Sequence, residues 1–246
     1  MKTKKDFHKA ISMIGLTSVL SMATFGPITL AEEKTVNNNL ENKKLQTLKM
    51  NSLDSPSDRV TSSIQRWILP EKNSKVRTEP ITHVLIHFMS NAVAKPKDPY
   101  NVKDAYNSFL DNGLSAHYLI DRNGVVYQLV NENRVAYHAG KGSISNYPEY
   151  TNKLNEYSIG IELLGIGTWK EMEIMMSRDT YDLISPHNIG YTDVQYKSLK
   201  LLLEDIRKRN QNIQNDREHI LGHDEYAKDR KTDPGSLFDW SKVGFK

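Results

Sequence analysis

The chain has no cysteine in its 246 residues. That excludes disulfide cross-links and a cysteine nucleophile, and it restricts any metal site to nitrogen and oxygen ligands. Stability must come from an ordinary packed core. Other signatures are missing too. There is no His-Glu-x-x-His pair and no Gly-x-Ser-x-Gly elbow. Gly165-Ile166-Gly167 follows an apolar run but lacks the third glycine of a dinucleotide-binding turn. No internal repeat or second globular module is visible. Net charge is also lacking once the N-terminus is set aside. Residues 1–31 hold four Lys and one Asp, which leaves 29 basic and 29 acidic residues in the remainder. A balanced remainder gives no footing for nucleic-acid binding, and no such partner is expected.

What is present begins with a basic start. Lys2, Lys4, Lys5 and Lys9 precede an apolar run from Ala10 to about Phe25, and the small residues Thr29 and Ala31 precede Glu32. This is the layout of a secretory signal. Ser12, Thr17, Ser18, Ser21 and Thr24 interrupt the run and Pro27 ends it, which suits a cleaved signal better than a membrane anchor. The expected organisation is a signal peptide over 1–31, a polar linker over 32–58 and one domain over 59–246. The mature chain is expected to be secreted and monomeric, with no stable membrane anchor.

Periodicity outlines that domain. Val60, Ile64, Trp67 and Ile68 fall at helical spacing, and Ile81 to Phe88 reads as a buried strand. Val102, Ala105, Tyr106, Phe109 and Leu110 form a helical stripe closed by Asn112-Gly113. Ala116–Ile120 and Val125–Val130 flank Asp121-Arg122-Asn123-Gly124, a hairpin signal. Tyr157 to Leu164 is another apolar strand. Thr192-Asp193-Val194-Gln195 matches a capping box and opens a helix bearing Leu199, Leu202, Leu203 and Ile206. The pattern predicts an α/β domain with a mixed central sheet flanked by helices. The stretch Gly165–Tyr191 is long for a connection and is expected to carry function or its own helical turn over Glu171–Met176.

The chemistry concentrates in Gly222–Gly235, where His223, Lys231 and Asp233 share one polar loop. With His87 at the end of the first long strand they make a His, His, Asp set, three ligands with one position open, as in catalytic zinc sites. His83 rivals His87, since it lies four residues earlier on the same strand face. Lys231 suits stabilisation of developing negative charge. Glu162, inside the apolar Ser158–Gly165 run, is either a structural, salt-bridged carboxylate or a general base with a raised pKa. His138 is either a substrate contact or a hydrogen-bonded loop histidine. His117, His187 and His219 read as structural. Trp169, with Met172, Met175 and Met176, offers an apolar wall for substrate, unless that segment only covers the core.

Five motifs occur in order: strand-terminal His87, Ser115-Ala116-His117-Tyr118-Leu119-Ile120-Asp121-Arg122-Asn123-Gly124, Tyr137-His138-Ala139-Gly140, Ser158-Ile159-Gly160-Ile161-Glu162-Leu163, and Gly222-His223 through Arg230-Lys231-Thr232-Asp233-Pro234-Gly235. From about Ile81 to Trp240 the chain resembles the type 2 N-acetylmuramoyl-L-alanine amidases, relatives of bacteriophage T7 lysozyme and the peptidoglycan recognition proteins. The resemblance implies one zinc per chain at one edge of the sheet, held by His87, His223 and Asp233, with Glu162 and Lys231 as the catalytic pair. It implies peptidoglycan as the partner, the cell wall as the location, and cleavage of the amide between N-acetylmuramic acid and L-alanine. Phe88 and Met89 stand where that family often has a small or hydroxyl residue. Lys228-Asp229 stands where Pro-Gly is common, and Gly165–Tyr191 is longer than in compact members. These departures bear on specificity rather than on the metal. Two other readings are a peptidoglycan-binding module without catalysis, and an amidase for small recycled muropeptides. The latter works inside cells, which the signal layout argues against.

Overall fold

Two seven-residue strands, β3 (His83–Met89) and β7 (Ser158–Leu164), run parallel through the middle of the domain. The computed structural model describes residues 64–246. The proposed signal and linker lie outside the described residues. Both strands are buried along almost their whole length, as expected of parallel strands covered on two faces. The remaining strands are β1 (Gln65–Arg66), β2 (Ser74–Val76), β4 (Tyr118–Ile120), β5 (Val126–Gln128), β6 (Arg134–Ala136) and β8 (Ile220–Gly222). Six of them form one sheet in the order β1-β5-β4-β7-β3-β8, and β2 pairs with β6 separately. The hairpin β4–β5 is antiparallel and the other pairs of the large sheet are parallel, so the sheet is mixed.

The helices are α1 (Val102–Asn112), α2 (Leu154–Tyr157), α3 (Trp169–Met172), α4 (Arg178–Asp182), α5 (Asp193–Arg209) and α6 (His223–Tyr226). Asn101 caps α1 through its side chain, and Gly113 ends it at φ 64°, a left-handed position that favours glycine. Thr192 and Gln195 form the expected capping box of α5. Leu199, Leu202, Leu203 and Ile206 of α5 pack on Val84, Ile86, Ile159, Ile161 and Leu163, all from one face of β3 and β7. Ala105 and Phe109 of α1 pack with Leu119, Tyr127 and Leu164 on the opposite side. Because side chains alternate along a strand, the face turned away from α5 carries His83, Leu85 and His87 from β3 and Ser158, Gly160 and Glu162 from β7. One face of the central pair is thus apolar and the other carries the polar chemistry. No helix among the described residues is long and apolar enough to cross a membrane.

Two expectations change. Val60 lies outside the described residues, but Ile64 to Leu69 is extended, not helical. Trp67 N–H donates to Gln128 O at 3.0 Å and Leu69 N–H to Leu129 O at 2.8 Å, continuing the β1–β5 pairing. Without this segment β5 would leave a row of backbone groups unpaired at the sheet edge, and pairing with them overrides a weak helical period. Ile64 packs toward the α5 side and Leu69 toward the α1 side, as the strand period of two requires.

The stretch Gly165–Tyr191 forms its own subdomain. An Ile166–Gly190 bridge closes its base, and Met172 of α3, Tyr181 of α4 and the flanking Met176 and Ile184 pack with Phe88 and Ala92. The helical turn begins at Trp169, earlier than expected, because Thr168 and Glu171 form a capping box.

Candidate metal centre and active site

His87 is the fifth residue of β3, and its register partner in β7 is Glu162. His223 begins α6, directly after edge strand β8, and Asp233 returns at the end of the loop that follows. Parallel pairing of β8 with β3 brings these segments together near one edge of the sheet. His87 Nδ1 lies 3.0 Å from His223 Nδ1 and 2.9 Å from Asp233 Oδ2, and His223 Nδ1 lies 3.0 Å from the same oxygen. All three residues are buried. The expected trio therefore converges, and among the described residues it is the one group of three or more acidic or histidine side chains placed to hold a metal ion.

The donor set fits zinc. Three ligands at roughly 2.0–2.1 Å on one face of a tetrahedron stand about 3.3 Å apart, close to the triangle observed. The outward nitrogens are already occupied: His87 Nε2 meets His138 Nδ1 at 3.1 Å, and His223 Nε2 meets the Ala139 carbonyl at 2.9 Å. The two Nδ1 atoms are left facing each other and a carboxylate, an arrangement that a shared cation completes. Burial, with His223 close by, pushes the His87 imidazole down to about 4, so the ring is neutral as a ligand must be. Burial works against ionised Asp233, but the adjoining His223 and His87 rings outweigh it and hold the carboxyl well below its usual range.

His83 does not enter this site. Its ring stacks on His219 at 5.2 Å and lies against Tyr150, two pleat repeats back along the strand from His87. Glu162 is buried, its Oε2 has no hydrogen-bond partner, and no salt bridge reaches it among the described residues. Burial, reinforced by Asp233 and opposed by Lys231, raises its pKa well above the ordinary carboxyl value. A carboxyl held above its ordinary value in this way accepts a proton more readily than an exposed one.

These residues line a cavity of about 520 Å³, with Glu162 and Lys231 beside the trio. His138 reaches its wall but stands behind His87. Trp169 does not line it. The indole packs edge-on against Tyr181 at 5.5 Å, with Arg178 over its face, and Met172 and Met176 turn into the buried cluster. The capping box fixes α3 so that its first residue faces the subdomain interior. The apolar wall from this stretch is instead Ile174 and Met175, both exposed, with exposed Leu114 from the end of α1 also lining the cavity. Periodicity gave no signal for Ile174 or Leu114, because neither lies in a regular element. Asn155, from α2, also lines the cavity, and Ser158 lies on the same strand face as Glu162. The Ser158-x-Gly160-x-Glu162 alternation marks the polar strand face and was the available signal for Ser158.

The family model described as N-acetylmuramoyl-L-alanine amidase matches residues 77–236. The 1,6-anhydro-N-acetylmuramyl-L-alanine amidase AmpD of Haemophilus influenzae is 32% identical over 185 residues, covering 70% of this chain and 86% of that protein. The N-acetylmuramoyl-L-alanine amidase AmiD of Escherichia coli is 33% identical over 140 residues, 54% of this chain, and the match spans 44% of AmiD's own length. Among solved structures, the crystal structure of a selenomethionine AmpD derivative superposes with a TM-score of 0.51 at 26% identity, covering 74% of this chain and 92% of that one.

Proposed function

The chain belongs to the N-acetylmuramoyl-L-alanine amidase family, and from that premise we propose that it is a secreted zinc enzyme that cleaves peptidoglycan between N-acetylmuramic acid and the L-alanine of the stem peptide. The observation that carries this reading is the convergence of His87, His223 and Asp233 with Glu162 in register beside His87. Zinc bound by these three residues would polarise the amide carbonyl and acidify a water. Glu162 takes the proton of the attacking water and passes it to the leaving amine. Lys231, at the cavity rim, holds the negative charge that develops on the carbonyl oxygen. Ile174, Met175 and Leu114 shape the apolar sides of the groove. A module that only binds would not need an unpaired buried carboxylate beside a three-ligand site, so the site supports catalysis over binding alone.

Two measurements test this. Suspended cell walls should lose turbidity with the wild-type protein, and not with His223→Ala or with chelator present. The extracellular protein should begin near Glu32, and finding Met1 on a membrane-bound product would overturn secretion. The AmpD relative's name favours a second substrate reading, small 1,6-anhydro fragments. Activity on such fragments with none on intact wall would select it.

A further inference from the structure

Each metal-facing histidine has a partner on its far side, and both partners come from two consecutive residues. His87 Nε2 meets the His138 ring, and His223 Nε2 meets the Ala139 carbonyl. The proton positions follow from the ends of these chains. A carbonyl oxygen only accepts, so His223 carries its hydrogen on Nε2 and presents a lone pair at Nδ1. On the other branch, the Ser158 hydroxyl donates to Leu154 O at 2.5 Å. Its remaining lone pairs face His138 Nε2 at 3.3 Å, so that nitrogen carries the hydrogen. Neutral His138 then has a lone pair at Nδ1, which accepts from His87 Nε2–H. His87 is left with its own lone pair at Nδ1. Both branches end with two Nδ1 lone pairs aimed at the place where Asp233 Oδ2 converges.

The segment that supplies both partners is itself clamped. The Asn155 Oδ1 accepts from His138 N–H at 3.0 Å and from Ala139 N–H at 2.8 Å. The His138 ring lies flat enough on β7 that a Cβ at Gly160 would stand 2.5 Å from it, so only glycine leaves room there. Ser158, Gly160 and Glu162 thus use one strand face for three linked purposes: anchoring the chain of hydrogen bonds, admitting the ring and placing the carboxylate.

We propose that His138 and the Ala139 carbonyl are positioning groups that commit His87 and His223 to the metal through Nδ1, with Ser158 fixing the direction of the chain and Asn155 fixing the segment. Partners in this position raise the basicity of ligating histidines and lock their orientation, and their loss typically costs 10–100-fold in metal affinity. His138 accordingly acts through His87 rather than on the substrate. This rests on the reading of His87, His223 and Asp233 as the ligands.

The test uses zinc alone and the full chain. Long-range proton–nitrogen spectra of the zinc-loaded wild type should show His87, His223 and His138 each protonated at Nε2 and not at Nδ1. Competition with a chromophoric chelator should give His138→Ala a 10–100-fold weaker zinc affinity, with much of it recovered in His138→Gln, whose carboxamide oxygen can accept from His87. A wild type that binds no zinc would overturn the ligand assignment itself. A wild type that binds zinc with His138 protonated at Nδ1, or a folded His138→Ala with unchanged affinity, would overturn the positioning role alone. If His138→Ala does not fold, the wild-type spectrum decides.

Discussion

His87 and Glu162 stand in register across the parallel pair β3–β7, on the one face of that pair that is not covered by α5. The histidine and the carboxylate proposed as ligand and base are therefore set side by side by backbone pairing, before any loop is placed. The register leaves little room for movement, since a slip of one residue would turn every side chain of the strand to the other face.

Glu162→Gln keeps the shape of the buried carboxyl and removes the proton acceptor. We expect kcat to fall by roughly a hundredfold or more, the range for removal of a general base, with zinc content and thermal stability retained. Unfolding of the zinc-loaded variant would instead assign Glu162 a structural role.

The same carboxyl sets a pH limit. Burial raises its pKa, with Asp233 adding to the effect and Lys231 opposing it. A base works only when ionised, so kcat should rise with pH through this raised value. The acid limb of the profile is expected clearly above the ordinary glutamate value of about 4.3. A limb at that ordinary value contradicts the assignment.

Folding should respond to pH through other groups. Burial, with Arg77 adjacent, lowers the His117 imidazole to about 3, and burial with His219 nearby lowers His83 to about 4. Unfolded histidines protonate near 6.5 while these two stay neutral in the fold. Their contribution is complete above about 6.5 and is lost as pH falls toward 4 and then 3, with a slope of up to about 1.4 kcal/mol per pH unit for each ring. Urea unfolding between about pH 7 and 4.5 measures this, and a flat stability over that range would refute it.

Within Gly165–Tyr191, Ile174 and Met175 line the cavity while Trp169 packs inward, so the two kinds of residue are expected to act differently. Replacing exposed Ile174 and Met175 by Ser should raise KM for wall fragments with little change in melting temperature. Trp169→Ala should do the reverse, lowering stability by about 1–3 kcal/mol through lost packing on Tyr181. Kinetics and thermal melting of the two variants distinguish these roles.

Much of this was legible in the sequence because it rests on local rules. The stripe of α1 with Gly113, the hairpin around Asn123-Gly124, the capping box of α5 and the apolar runs of β3 and β7 are short-range signals. His87, Glu162, His223, Lys231 and Asp233 stood out as polar groups at strand ends, inside an apolar run or in one short loop. What stayed hidden depends on tertiary placement. The extended path from Ile64 to Leu69 needs an open edge at β5. Trp169 turns inward because of how α3 is capped, and Ile174 and Leu114 reach the cavity from irregular backbone. The link from His138 to Ser158 could not be read from spacing, since twenty residues separate them.

The bond itself is the most direct test. Mass spectrometry of purified peptidoglycan digested with the mature protein should find free stem peptides beginning at L-alanine and glycan strands with bare lactyl groups, both abolished by chelator. Products cut within the glycan or within the peptide, or release that persists without metal, would contradict the account.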